Sequence, residues 1–348
     1  DAQPQVAQAL QTRNVPFAVA IINEQMVPLF EQPYPEEQIR MVIDKVLALA
    51  AEADIFVQNY RPGVAQRLGL GIDALRQVNP QIIYCSISAY GGEGPVGHRP
   101  AYDHVVQAMS GIMSTTGTDE MGPVKVGAPY IDYATGLNAA FAVMAALRER
   151  DRTGEPQSVD ISMLDTALNL MANNLVTVAT TGEDVPKLGN EAASGSPSSG
   201  CFVAADGVNI MLAANNERQF VDLCAVLGHP EWSQDPRWAV PKVRRDHFDA
   251  LRSEIAKAFL SRPAAVWETL LDAQGVPASR VRSLRELLGE GQPQARGLLA
   301  ILPVGSEQTK VQLPAIGFRL NGHNLPPTRP PKSVGADNER WLPHEKTV

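Results

Sequence analysis

RMVIDKVLALAAEADIFVQN (40–59) is followed, after a short break, by GIDALRQVNPQIIYCSISAY (71–90), and the two stretches share one plan. In each, apolar residues at helical spacing give way to a short apolar run, DIFVQN (54–59) in the first and QIIYCSISAY (81–90) in the second. A helix followed by a buried strand, twice over, predicts a parallel, doubly wound sheet in an α/β fold. Asn79-Pro80 closes the second helix, and its strand runs into a glycine-rich loop, GGEGPVG (91–97).

Working outward, YDHVVQAMSGIMSTTG (102–117) and YIDYATGLNAAFAVMAALRERDRTG (130–154) predict two long helices. The second ends on Arg148, Arg150 and Arg152 followed by Gly154, cations at the negative pole of the dipole and then a stop residue. SVDISM (158–163) reads as a strand and LDTALNLMANNLVTVATTG (164–182) as a helix directly after it, so Asp165 falls at a strand-to-helix junction. Ligands commonly meet such sheets at these junctions. Toward the N-terminus, FAVAII (17–22) reads as a strand without a clear βα rhythm around it.

Beyond residue 185 the composition shifts. KLGNEAASGSPSSG (187–200) is a Gly/Ser/Pro loop with few anchors, and CFVAADGVNIML (201–212) is a hairpin turning on Asp206-Gly207. Helices near 216–228, 242–260 and 263–274 follow, then short strands near 278–282, 298–303 and 310–317. The expected division is a large Rossmann-like domain over 1–205 plus 316–348 and a small α+β domain over 206–315. The Pro-rich tail LPPTRPPKSVGADNERWLP (325–343) is expected to lie extended along a surface.

Composition narrows the function. The chain has 348 residues, with 30 Lys+Arg against 38 Asp+Glu, a net charge of −8, which argues against a nucleic-acid partner. No apolar run approaches the ~20 residues that span a bilayer, and the opening DAQPQVAQALQTRN has no basic n-region or apolar h-region. Cys85, Cys201 and Cys224 are widely spaced without a CxxC, so neither a disulfide framework nor a zinc site is indicated. The six histidines show no metal-ligand spacing, and GxGxxG between strand and helix, GxxxxGK[ST], GxSxG and HExxH are all missing. The expectation is a soluble, cytoplasmic protein with no metal.

The sharper signal is a set of segments in order: NYRPGVAQRLGLG (59–71), VNPQIIYCSISAYG (78–91), PAYDHVVQAMSGIMSTTG (100–117), VKVGAPYIDYATGL (124–137) and GEPQSVDISMLDTAL (154–168). KLGN (187–190), the ADG turn (205–207) and GVPASRVRSLRELL (275–288) continue it. Together they resemble the family III CoA-transferases, the group that holds formyl-CoA transferase, carnitine CoA-transferase and α-methylacyl-CoA racemase. The resemblance covers roughly residues 50–330. The family's usual opening strand and helix, which supply part of its CoA site, have no counterpart in the first 50 positions.

The resemblance implies roles residue by residue. Asp165, in VDISMLD, matches the nucleophilic aspartate, and covalent catalysis suits a carboxylate exchanging a thioester. Its bland alternative is a helix-capping acid. Asn59, Tyr60, Arg67 and Leu68 match the CoA-contacting stretch, with Arg67 suited to a phosphate and Tyr60 to the adenine or pantetheine. Tyr102 and Asp103 match a Tyr/acid pair that positions or polarises the substrate near the thioester, and Asp132 falls near the site. AASGSPSSG (192–200) stands where the family carries a glycine-rich lid, and its hydroxyls near 194–199 are candidates to hold a second carboxylate, as of succinate. The resemblance further implies coenzyme A as substrate with no resident cofactor, a carboxylic acid as second substrate, and an interlocked homodimer.

Three readings compete. The first is CoA transfer between carboxylic acids through Asp165. The second is α-carbon racemisation of an acyl-CoA, where the histidine would fall on Tyr102 and the aspartate on Asp132. His104, two residues on, would face elsewhere on the helix. Asp165 in place and no histidine at 102 favour the transferase. The third is a non-catalytic interaction protein of the same fold.

Overall fold

The computed structural model describes residues 18–22, 25–30, 36–305, 308–330, 332 and 336. Two strands, β1 (Ala18–Ile22) and β2 (Gln25–Phe30), form an antiparallel hairpin, and helix α1 (Glu36–Ala50) follows. Phe17 of the expected FAVAII strand and nearly all of the Pro-rich tail from residue 331 on lie outside the described residues.

The predicted rhythm is present. Strands β3 (Ile55–Gln58), β4 (Ile83–Ser88) and β5 (Ser158–Ser162) form one parallel sheet in the order β3-β4-β5. Strand alternation divides its two faces. Tyr84 and Phe56 face a core with Val46 and Ala50 of α1, Leu70, and Leu75 of α2 (Ile72–Val78). On the other face Cys85, Ile87, Val159 and Ile161 pack on Ala139, Ala142 and Val143 of α4 (Tyr130–Thr153). Covering a parallel sheet with helices on both faces explains its near-continuous apolar runs.

Between β4 and β5 runs α3 (Asp103–Met109), and β5 passes at once into α5 (Met163–Leu170), followed by α6 (Ala172–Thr181). Val106, Ile131 and Ala167 bring α3, α4 and α5 onto one buried cluster. Two expected helices are broken. The 102–117 segment stops at Gly111, whose φ of 87° lies in the left-handed region open to glycine. The 164–182 segment breaks at Met171, where φ −107° and ψ 24° interrupt the helix.

The chain divides into two compact units, one of 1–112, 125–183 and 293–348, the other of 113–124 and 184–292. These limits differ from 205/206 and 315/316 for reasons of pairing. β6 (Ser199–Val203) hydrogen-bonds to β7 (Asn209–Ala213), which carries the preceding loop into the smaller unit. The antiparallel β9 (Leu299–Val304) and β10 (Thr309–Pro314) fall in the larger one.

The smaller unit is α+β. Its sheet, ordered β6-β7-β8 with β8 at Ala278–Arg280, turns Phe202, Ile210 and Leu212 onto helices α7 (Glu217–Leu227), α8 (Phe248–Phe259) and α9 (Ala264–Ala273). Phe202 stacks on Phe259 at 5.1 Å, and Trp267 meets Phe259 edge-on at 5.4 Å while donating its indole N–H to the Phe259 carbonyl. The 187–200 loop is well anchored, contrary to expectation. Ser198 and Ser199 are fully buried, and Arg252 pairs with Glu191 while donating to the Ser199 and Cys201 carbonyls.

Candidate active site

Asp165 is solvent-exposed in the first turn of α5. The capping role open to it is filled by Ser162, whose Oγ accepts the Asp165 backbone N–H at 3.2 Å. The Leu164 N–H goes to the Ala89 carbonyl at 3.0 Å, so the β4 exit and the start of α5 are tied together. Among the described residues the Asp165 carboxylate itself has no hydrogen-bond partner. A bare carboxylate at the C-terminal edge of a parallel sheet is free to react with a ligand.

Asp160, on β5, was not singled out by sequence, because a polar residue inside a strand reads as an ordinary outward position. Burial, then the negative charges of Asp165 and Glu93, push its carboxyl above the usual carboxylate range. Glu93 comes from the 91–97 loop, so Asp160 feels acids from two other segments.

The 59–71 stretch leaves the same edge of the sheet. Asn59 is exposed, while Tyr60 is half-buried against the α1–β4 core, which pushes its hydroxyl pKa up. With β4 between them, β3 and β5 lie two strand spacings apart, roughly 10 Å across the sheet, and β5 runs two residues past the end of β3. Arg67 ends the helical turn Val64–Arg67 and is exposed, and its guanidinium lies over Gly63, 3.2 Å from where a Cβ would sit. Gly63 has φ 81°, so both its conformation and this close approach suit a residue without a side chain. Leu68 is half-buried and packs into the core beneath the stretch.

Tyr102 and Asp103 part company. Tyr102 is 76% exposed, whereas Asp103 is buried at 6%. The Asp103 carboxylate accepts the N–H groups of Ile131 at 2.8 Å and Asp132 at 3.2 Å, and takes the Gln107 side-chain amide as a third donor. Gln107 in turn accepts the Val126 N–H at 2.9 Å. Asp103 is therefore the cap of α4, supplied from another helix.

Asp132 follows in the first turn of α4. Burial and the charge of Asp103 push its carboxyl up, opposed by His104. His104 does not face away from Tyr102. Their rings stack at 6.3 Å and 12°, because Tyr102 has extended φ −123° and ψ 169° outside the helical arc.

The serines of the 192–200 loop are already engaged in the smaller unit. Ser194 and Ser199 donate to the Asn215 side chain at 3.2 and 2.8 Å, Ser198 donates to the Ala214 carbonyl at 2.9 Å, and Ser196 bonds Ser198 at 2.9 Å. These hydroxyls hold the loop down. Among the described residues, no three His, Cys, Asp or Glu side chains gather to hold a metal, and no helix is long and apolar enough to cross a membrane.

Residues 43–338 match CoA-transferase family III. The chain is 34% identical over 285 residues to an acetyl-CoA:oxalate CoA-transferase of Acetobacter aceti, covering 82% of this chain and 71% of that protein. It is 31% identical over 300 residues to the succinyl-CoA:glutarate CoA-transferase of Mus musculus, covering 85% and 67%. Among solved structures, that of Rv3272 from Mycobacterium tuberculosis superposes with a TM-score of 0.77 at 31% identity, covering 86% of this chain and 80% of that one. The chain belongs to CoA-transferase family III.

Proposed function

We propose that the protein transfers coenzyme A from an acyl-CoA to an acceptor carboxylic acid, with Asp165 as the nucleophile. The observation that carries this reading is the exposed, unbonded carboxylate of Asp165 at the sheet edge shared with Asn59 and Tyr60. The named relatives, which exchange CoA between carboxylic acids, support the reaction class.

A carboxylate oxygen of Asp165 attacks the thioester carbonyl, and the C–S bond breaks to release CoA thiolate and leave a mixed aspartyl–acyl anhydride. The thiolate attacks the Asp165 carbonyl carbon, which expels the donor acid as its carboxylate and leaves an aspartyl–CoA thioester. The acceptor carboxylate attacks that thioester, again freeing the thiolate and forming a second anhydride. Attack of the thiolate on the acceptor's acyl carbon gives the new acyl-CoA and returns Asp165 to its carboxylate. Each step keeps an activated carbonyl, so no thioester energy is lost to water. Coenzyme A is a substrate here, and no resident cofactor or metal takes part.

Asn59, Tyr60 and Arg67 contact coenzyme A in this reading, with the exposed guanidinium free to meet a phosphate. Asp103 acts by holding the start of α4 beside Tyr102 and Asp132. A homodimer is supported by α4, whose buried side packs on the sheet while Tyr133, Leu137, Phe141 and Met144 leave a second, exposed apolar stripe. The three cysteines are free, as a reducing cytoplasm would keep them.

The test is to incubate the protein with an acyl-CoA and hydroxylamine. Hydroxylamine attack on the activated Asp165 carbonyl expels CoA thiolate or the donor carboxylate and is expected to leave a hydroxamate on the Asp165 peptide. No adduct, with solvent deuterium entering the acyl α-carbon in the absence of an acceptor acid, would replace transfer with racemisation.

A further inference from the structure

Three polar side chains sit in register across the parallel sheet where β3 ends, two residues before β4 and β5 do. Gln58 of β3 pairs with Ser86 of β4, and Ser86 pairs with Asp160 of β5. One step back along the same face β3 and β4 carry aromatic rings, with Phe56 stacked on Tyr84 at 5.7 Å inside the core. The face thus changes from packing to hydrogen bonding within two residues, just before Asn59 leaves β3.

Gln58 uses both ends of its amide. Nε2 donates to Ser86 Oγ at 2.7 Å, and Oε1 accepts the backbone N–H of Tyr60 at 2.8 Å. The peptide that follows β3 is therefore tied to the middle strand of the sheet. The far end of the same stretch is held from β4 too, since the buried Tyr84 hydroxyl donates to the Leu70 carbonyl at 3.4 Å. From Ser86 the row continues to Asp160, which senses the charge of Asp165.

We propose that Gln58 and Ser86 are positioning residues for coenzyme A. They fix the Asn59–Tyr60 peptide at a set span from Asp165, so that a CoA held by 59–71 presents its thioester to the carboxylate. The inference rests on the reading of Asn59 and Tyr60 as CoA contacts. Neither side chain touches the substrate. Both act through the Tyr60 N–H, which is occupied by Gln58 and so withheld from the ligand. Fixing a contact before the ligand arrives lowers the ordering cost of binding.

The experiment compares Gln58→Leu, Ser86→Ala, their double variant and Gln58→Glu in the full chain, by steady-state kinetics, calorimetric binding of free coenzyme A and thermal melting. Losing one strut is expected to raise the acyl-CoA KM and the CoA Kd together by about three- to tenfold, with kcat within about twofold. The double variant should be no worse than Gln58→Leu alone, because the two side chains form one strut. Gln58→Glu should restore binding, since a carboxylate accepts both the Tyr60 N–H and the Ser86 O–H. Ser86→Ala, the milder change, carries the test if Gln58→Leu does not fold. A lower melting temperature with unchanged KM and Kd would overturn the proposal and leave the transferase reading standing. If the unsubstituted chain binds no coenzyme A, that reading fails and this inference falls with it.

Discussion

The Asp103 carboxylate accepts the backbone N–H of Ile131 at 2.8 Å, across 28 residues of chain. A buried acid on one helix thereby supplies the cap that Pro129, at the N-cap position of α4, has no side chain to provide. The bond fixes where α4 begins, and so where Asp132 and the exposed stripe of α4 lie.

Asp103→Ala should cost stability, because it leaves the Ile131 and Asp132 amides without their acceptor. A loss of about 1–3 kcal/mol is expected from removing a buried cap. Denaturant unfolding measures it. A variant as stable as the parent would remove Asp103 from the role of cap.

Asp165→Ala should lower turnover by at least about a thousandfold, the scale of losing a covalent nucleophile. CoA affinity should hold, since 59–71 is untouched. Wild-type turnover in this variant would mean that another group attacks the thioester.

Asp132 supplies a pH signature. Its carboxyl is raised by burial and by Asp103, so the folded state holds the proton more tightly than the unfolded chain does. Stability is then lost as pH rises from the ordinary carboxylate range, about 4, through the raised folded value. Asp132→Asn should be the more stable protein at pH 7, by less than about 1 kcal/mol given its solvent access, and lose that advantage below about pH 4. Melting curves of both proteins across this range decide the sign.

Phe141→Asp puts a charge in the middle of the apolar stripe on α4, where the ring is 75% exposed in the single chain. The proposed homodimer predicts that the parent sediments as a dimer and this variant as a monomer, and a monomeric parent would end that proposal. An unaltered dimer would locate the interface elsewhere.

Arg252→Ala removes the guanidinium that holds Glu191 and the carbonyls of Ser199 and Cys201 and lies 4.3 Å over the Phe202 ring. Faster amide exchange over 190–201 is expected, with α4 unchanged. Equal exchange there would show that the serine hydroxyls alone anchor the loop.

Local pattern was enough for much of this. The apolar runs of 54–59 and 81–90 wrote β3 and β4, the 130–154 periodicity wrote α4 to within a residue, and Asp165 was legible because strand and helix abut at Ser162–Met163. The helix breaks at Gly111 and Met171 were not, since apolar spacing runs straight through both.

Sequence alone determined the strands and helices that build the parallel sheet, and that Asp165 stands at a strand-to-helix junction, because both follow from periodicity within a few residues. Tertiary structure decided the partners. Gln58, Ser86 and Asp160 became one row through strand register, Asp103 became a cap through the packing of α3 on α4, and the serine loop was pinned by Asn215 and Arg252. Such pairings join residues far apart in the chain, where no local spacing records which polar group will meet which.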